Sequence, residues 1–143
     1  MHRRSFMKLV WILASLLWLV GCSTPGAAPS LVNSTWQLQR IDGAAVPAGV
    51  TVTIVFGDGQ IGGNGGCNSY GGSYQLQGST LSFADVFMTE MYCEGAGSTT
   101  EQQYMTALME IRGFVVTSAT SVRQLELQDS NQRPRLVFVQ IEE

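Results

Sequence analysis

Two cysteines in the body of the chain, Cys67 and Cys93, are the residues whose type and spacing promise chemistry. A thiol can ligate a metal, attack a carbonyl or oxidise to a disulfide. The first two uses need partners that the sequence withholds. Beyond His2 there is no His, and beyond Lys8 there is no Lys. That excludes His-based general acid–base chemistry, Schiff bases and His metal sites in the body of the chain. A tetrahedral metal site would need two further thiol or imidazole ligands. A disulfide is therefore the expectation; closing a loop of about 27 residues, it is worth roughly 3–4 kcal/mol in the chain-entropy account. Ser and Thr are plentiful, but no base is present to activate them. Among the carboxylates, Asp42, Asp58 and Asp129 read as turn residues and Glu142 and Glu143 as a solvated tail. Glu90 and Glu94 flank Cys93 and are the nearest approach to a carboxylate pair of the kind that cleaves glycosides; solvated or hydrogen-bonded roles are the plainer reading. Gly63-x-Gly65 leads into Cys67-Asn68 and a strand, with no Lys or Ser/Thr pair to complete a phosphate loop. Met88 and Met91 lie near Cys93, and Met105 and Met109 share a helix edge. Thioethers can bind Cu(I), but core filling is the simpler role. No catalytic residue, metal or cofactor is expected.

The N-terminus sets the compartment. Arg3, Arg4 and Lys8 precede a twelve-residue apolar run, Leu9 to Val20. As a helix it reaches about 18 Å, short of a hydrocarbon core of about 30 Å, so it reads as a secretory signal. Leu19-Val20-Gly21-Cys22 resembles the lipobox of bacterial lipoproteins, which implies cleavage after Gly21 and lipid on Cys22. In that resemblance Ser23 directs the protein to the outer membrane. Two or more acyl chains make a stable anchor, whereas one is marginal. Residues 1–21 are then a lipoprotein signal peptide, 22–30 a lipidated Cys and an uncharged flexible tether, and 31–143 one domain. With Cys22 assigned to lipid, Cys67 and Cys93 are an even pair in an oxidising compartment. Without Arg3, Arg4 and Lys8 the 8 basic residues fall to 5 against 11 acidic, a net of −6. That balance disfavours nucleic acid.

The elements that must position the two thiols follow from periodicity. Trp36 and Leu38 alternate with polar neighbours in Thr35 to Ile41, as do Val52, Ile54 and Phe56 in Thr51 to Phe56. Gly57-Asp58-Gly59 marks a hairpin into a strand near Gln60. The stretch Gly62 to Gly72 is glycine-rich and predicts sharp bends. Further strands are predicted over Ser73 to Gln77, Leu81 to Val86, Phe114 to Ser118, Val122 to Gln128 and Arg135 to Ile141. Ser98 with Glu101 predicts a capping box, and Gly113 a helix C′ residue. Between them Tyr104, Met105, Ala107, Leu108, Met109 and Ile111 share an apolar arc of about 200°. So broad an arc suits a concave partner. The expected fold is mainly β (α+β): a strongly curved antiparallel sheet or partly open β-barrel of about seven or eight strands with one packed α-helix.

The order Gly65-Gly66-Cys67-Asn68-Ser69-Tyr70-Gly71-Gly72-Ser73-Tyr74, then Thr89-Glu90-Met91-Tyr92-Cys93, then a helix bearing Glu101, resembles the META domain of HslJ-like bacterial lipoproteins. Trp36 matches the family's opening strand, and Phe56, Asp58 and Gly59 its first hairpin. The likeness spans about Leu31 to Ile141. Tyr92 departs from the pattern, where a small residue usually precedes the second Cys. The resemblance implies an envelope lipoprotein of the heat-shock and stress-response kind, with no established catalytic activity. It makes the motif residues Gly66, Asn68, Tyr70, Gly72, Tyr74, Thr89, Met91 and Glu101 structural: glycines for tight turns, Asn68 for backbone hydrogen bonds, Cys67 and Cys93 for a clamp. The functional expectation is a non-enzymatic, periplasm-facing outer-membrane lipoprotein that supports envelope integrity by binding an unidentified envelope protein. Its membrane contact is through the lipid anchor. A binding module for a lipid or other hydrophobic ligand, enclosed by residues such as Trp36, Phe83, Phe87 and Phe114, is the alternative. An inhibitor of a basic hydrolase such as lysozyme is another, by analogy of architecture and compartment.

Overall fold

The computed structural model describes residues 30–119 and 121–142. The signal segment and Cys22 lie outside them. The chain forms β1 (Ser34–Ile41), β2 (Ala44–Ala45), β3 (Thr53–Phe56), β4 (Gln60–Asn64), β5 (Ser69–Gln77), β6 (Thr80–Met88), α1 (Ala96–Met109), β7 (Gly113–Ala119), β8 (Val122–Gln128) and β9 (Pro134–Ile141). All pairings are antiparallel, in the order β2-β1-β3-β4-β5-β6-β7-β8-β9, and β9 also pairs with β1. The nine-stranded sheet thus curves until its last strand meets its first. Curvature is concentrated at register shifts: in β1 between Leu38 and Arg40, in β5 between Gly71 and Ser73, and in β8 between Leu127 and Gln128. The thinnest seam is between β6 and β7, which pair only at Thr80 and Gly113.

Period-two alternation explains which face is buried. Trp36, Ile54, Phe56, Leu81, Leu125, Leu127, Leu136 and Phe138 are all fully buried and point to the concave side. The helix supplies Tyr104, Ala107 and Leu108 to the same core and lies against β1, β6 and β9. Tyr104 meets Tyr70 edge-on at 5.6 Å and Phe138 at 6.4 Å between ring centroids. Phe56 meets Tyr74 edge-on at 5.3 Å. Arg135 ties the rim together, ion-paired to Asp42 after β1 and to Glu110 after α1. Asp129 holds the last turn, its Oδ1 accepting from the N–H groups of Asn131 (2.8 Å) and Arg133 (3.1 Å).

Several local expectations are corrected. The helix begins at Ala96 with Gly95 as N-cap, and no side chain caps it; Ser98 lies inside the first turn, so Ser98 and Glu101 form no capping box. Glu101 is drawn away to the β5 loop, as described below. The C-cap is Glu110, and Gly113 opens β7 instead of closing the helix. Much of the glycine-rich stretch is strand, because Gly62, Gly63, Gly71 and Gly72 all stand in the β4–β5 ladder. The methionines are not core filler as a group: Met105 packs against the core, while Met88, Met91 and Met109 are 39 %, 59 % and 46 % exposed. Phe87 faces solvent and not the interior.

Tyr70 and Tyr104 supply the polar part of the core. Their hydroxyls are 2.6 Å apart, and Tyr70 Oη donates to the Thr53 carbonyl at 2.9 Å. Since Tyr70 has one hydroxyl proton, Tyr104 must donate to Tyr70. Burial pushes both phenols well above the ordinary Tyr range. The folded state therefore holds these protons more tightly than the unfolded chain. That contribution is complete below the unfolded pKa of about 10 and is lost as pH rises above it. In an alkaline ultraviolet titration, Tyr70 and Tyr104 are expected to ionise as one steep step that coincides with unfolding. Tyr104→Phe should cost about 1 kcal/mol in chemical denaturation, because Tyr70 keeps its acceptor. Tyr70→Phe should cost about 2–3 kcal/mol, because Tyr104 is left with a buried hydroxyl and no acceptor.

Candidate functional site

The motif residues separated in sequence meet where β4, β5, the β6–α1 loop and the helix converge. Glu101 is buried in the second turn of α1 and faces the loop before β5. Its Oε2 accepts from the N–H of Asn68 at 2.5 Å and of Cys67 at 3.3 Å, and its Oε1 accepts from Asn68 Nδ2 at 2.9 Å. Asn68, also buried, turns its other end toward the β6–α1 loop. Its Oδ1 accepts from Met91 N–H at 2.7 Å and from Thr89 Oγ1 at 2.9 Å. An amide can donate to a carboxylate through its nitrogen while its oxygen, at the other end, accepts from two donors. Asn68 thus joins three segments by using both ends of its dipole.

Two glycines make the approach possible. Gly66 has φ of +116°, and a Cβ there would stand 3.0 Å from the Gly97 carbonyl oxygen. That backbone lets the loop turn under the start of the helix. Gly72 lies at the β5 register shift, where a Cβ would stand 3.1 Å from the Ala84 carbonyl oxygen. It serves close strand approach and not a turn. Tyr74 donates to the Gly57 carbonyl at 2.9 Å and anchors the first hairpin.

Cys67 and Cys93 form a disulfide, with Cα atoms 6.1 Å apart, within the ordinary range. It fastens the loop before β5 to the β6–α1 loop, three residues ahead of the helix start at Ala96. Both cysteines are half-buried. Among the described residues, no group of three or more His, Cys, Asp or Glu gathers as a metal site, and no buried side-chain nitrogen or oxygen lacks a partner. Glu90 and Glu94 are exposed, and Glu94 accepts from Tyr92 Oη at 2.6 Å. Two clefts are lined by other residues at the rim: one of about 440 Å³ by Asp42, Arg133, Pro134 and Arg135, and one of about 360 Å³ between Thr80, Arg112 and Gln128.

A family model described as META domain matches residues 29–143. The chain belongs to the META domain family. No curated protein matches it. Its fold is similar to that in an NMR structure of a protein from Burkholderia xenovorans, with 27 % identity and a TM-score of 0.66 over 85 % of this chain and 97 % of that one. A second NMR structure shares the fold at 22 % identity and a TM-score of 0.55, over 77 % and 90 % of the two chains.

Within this META domain, the sequence singled out Asn68 and Glu101 but not their bond to each other. Thirty-three positions separate them. A buried carboxylate in a chain with few charges was the available signal, masked by the apparent capping box. Asn68→Asp would set a second carboxylate against Glu101 Oε1. It is expected to lose about 2–4 kcal/mol at neutral pH in chemical denaturation, because two carboxylates then face each other with no donor between them. Reducing the disulfide, or Cys67→Ser with Cys93→Ser, is expected to cost about 3 kcal/mol, read as a lower melting temperature than the oxidised chain.

Proposed function

We propose that this META domain protein is a non-enzymatic outer-membrane lipoprotein that faces the periplasm and supports envelope integrity under stress by binding a protein partner. The observation that carries the reading is how the motif's polar groups are engaged. Asn68, Glu101 and Thr89 all bond to one another or to backbone, and Cys67 and Cys93 to each other. Groups held this way build a scaffold and leave no nucleophile or base free to react. The disulfide suits an oxidising compartment. The apolar run Leu9 to Val20 and Cys22 in Leu-Val-Gly-Cys support export and lipidation. The hydrophobic-ligand alternative draws less support, because the inward aromatic rings pack on one another and the clefts at the rim are polar and open.

The test is fractionation with metabolic palmitate labelling. The wild-type chain is expected to take up label and sediment with the outer membrane. Cys22→Ala should take up none and stay soluble in the periplasm. A Cys22→Ala chain that still sediments with the outer membrane would sink the anchor.

A further inference from the structure

The segment from Phe87 to Tyr92 shows large apolar side chains to solvent. Phe87 is 69 % exposed, Met91 59 % and Tyr92 87 %, with Met88 beside them at 39 %. The backbone that displays them is pinned to the start of β5. Phe87 pairs with Gly71, and its ring covers that glycine, where a Cβ would stand 2.7 Å from Phe87 Cζ. Thr89 and Met91 are both held by Asn68 Oδ1, and Cys93 by the disulfide. Ordering this segment on binding would therefore cost little, because it is already ordered. Phe, Tyr and Met are residue types enriched at the centres of protein interfaces. β6 pairs with β7 only at Thr80, so the far end of β6, which carries Phe87 and Met88, has no sheet neighbour on that side among the described residues. An extended segment can lie along it.

Charge identifies the occupant. Exposed Asp85 and Glu94 flank the four apolar residues, and exposed Glu90 lies between them. The chain has no Lys, Arg or His between Arg40 and Arg112. Such a rim repels an anionic bilayer, nucleic acid and a second copy of itself, and attracts cationic groups. Tyr92 remains a neutral donor, its phenol raised above the ordinary range by the bond to Glu94.

We infer that Phe87, Met88, Met91 and Tyr92, rimmed by Asp85, Glu90 and Glu94, form a docking surface for an extended segment of a basic protein, with apolar side chains between Arg or Lys residues. The inference rests on the partner-binding reading above and gives it a surface and a partner chemistry. The test uses the full-length chain, processed in a bacterial envelope and purified in neutral detergent. Three fluorescent twelve-residue peptides are titrated by anisotropy: one with a Leu-Phe-Leu centre flanked by Arg, one with the same centre flanked by Glu, and one with a Gly-Ser centre flanked by Arg. The Arg-flanked apolar peptide is expected to bind roughly tenfold or more tightly than either control. Phe87→Ser with Tyr92→Ser should weaken it roughly tenfold with only a small fall in melting temperature, since both side chains are largely exposed and Phe87 packs on Gly71. Asp85→Asn with Glu90→Gln and Glu94→Gln should remove its salt dependence. Equal binding of the Arg- and Glu-flanked peptides, or no binding at all, overturns the inference. So does phosphatidylglycerol vesicle binding or dimerisation that the double variant abolishes. Binding of the Arg-flanked apolar peptide that survives the double variant overturns this surface while leaving the partner-binding reading in place. The palmitate and fractionation result decides the anchor independently of either.

Discussion

One buried carboxylate organises the structure. Glu101 takes hydrogen bonds from two successive backbone N–H groups and from Asn68 Nδ2, and so fixes the helix against the loop that opens β5. A buried carboxylate is tolerable only when donors surround it, and hydrogen bonds to an ionised acceptor are among the stronger ones a protein makes. Because Asn68 then grips Thr89 and Met91, the helix, the start of β5 and the loop leaving β6 become one unit. The disulfide fastens the same junction covalently.

That junction lets a single helix complete the curved sheet. β6 and β7 barely pair, and the sheet is continuous instead through β9 and β1, so α1 bridges its two loosely paired ends. The helix lies against β6 on one side and β1 and β9 on the other, with Tyr104 and Leu108 at its centre. Only part of the expected apolar arc is used: Tyr104, Ala107 and Leu108 are buried, Met109 is exposed, and Ile111 lies beyond the end of the helix. Arg135 closes the opposite rim by pairing with Asp42 and Glu110, both of which hold its guanidinium even further above its usual range.

The same clamp has a consequence at the surface. It displays apolar side chains on a backbone that cannot collapse to bury them, within a region that bears only negative charge. Displayed apolar surface of this kind marks places where proteins meet other molecules. The motif that defines the family thus supports the presenting loop, and one of its residues, Met91, belongs to the inferred surface itself.

Periodicity, turn residues and composition determined much of this protein. Alternation in Trp36-Gln37-Leu38 and Leu125-Glu126-Leu127 marks inward faces because a strand reverses its side chains at every residue, whatever its neighbours are. Cysteine parity pointed to the disulfide. What tertiary structure alone decided was where specific side chains went. Glu101 stands three residues after Ser98 and looks like half of a capping box, yet its partners come from β5, because bonds to Asn68 and Cys67 satisfy a buried charge that a cap at an exposed helix end would not. Phe87 reads as an inward-facing residue by its aromatic type. It faces outward because the register shift opposite Gly71 and Ser73 displaces the end of β6, and a change of register exchanges the two faces of a strand. Register and long-range hydrogen bonds are properties of pairs, and no single stretch of sequence contains both partners.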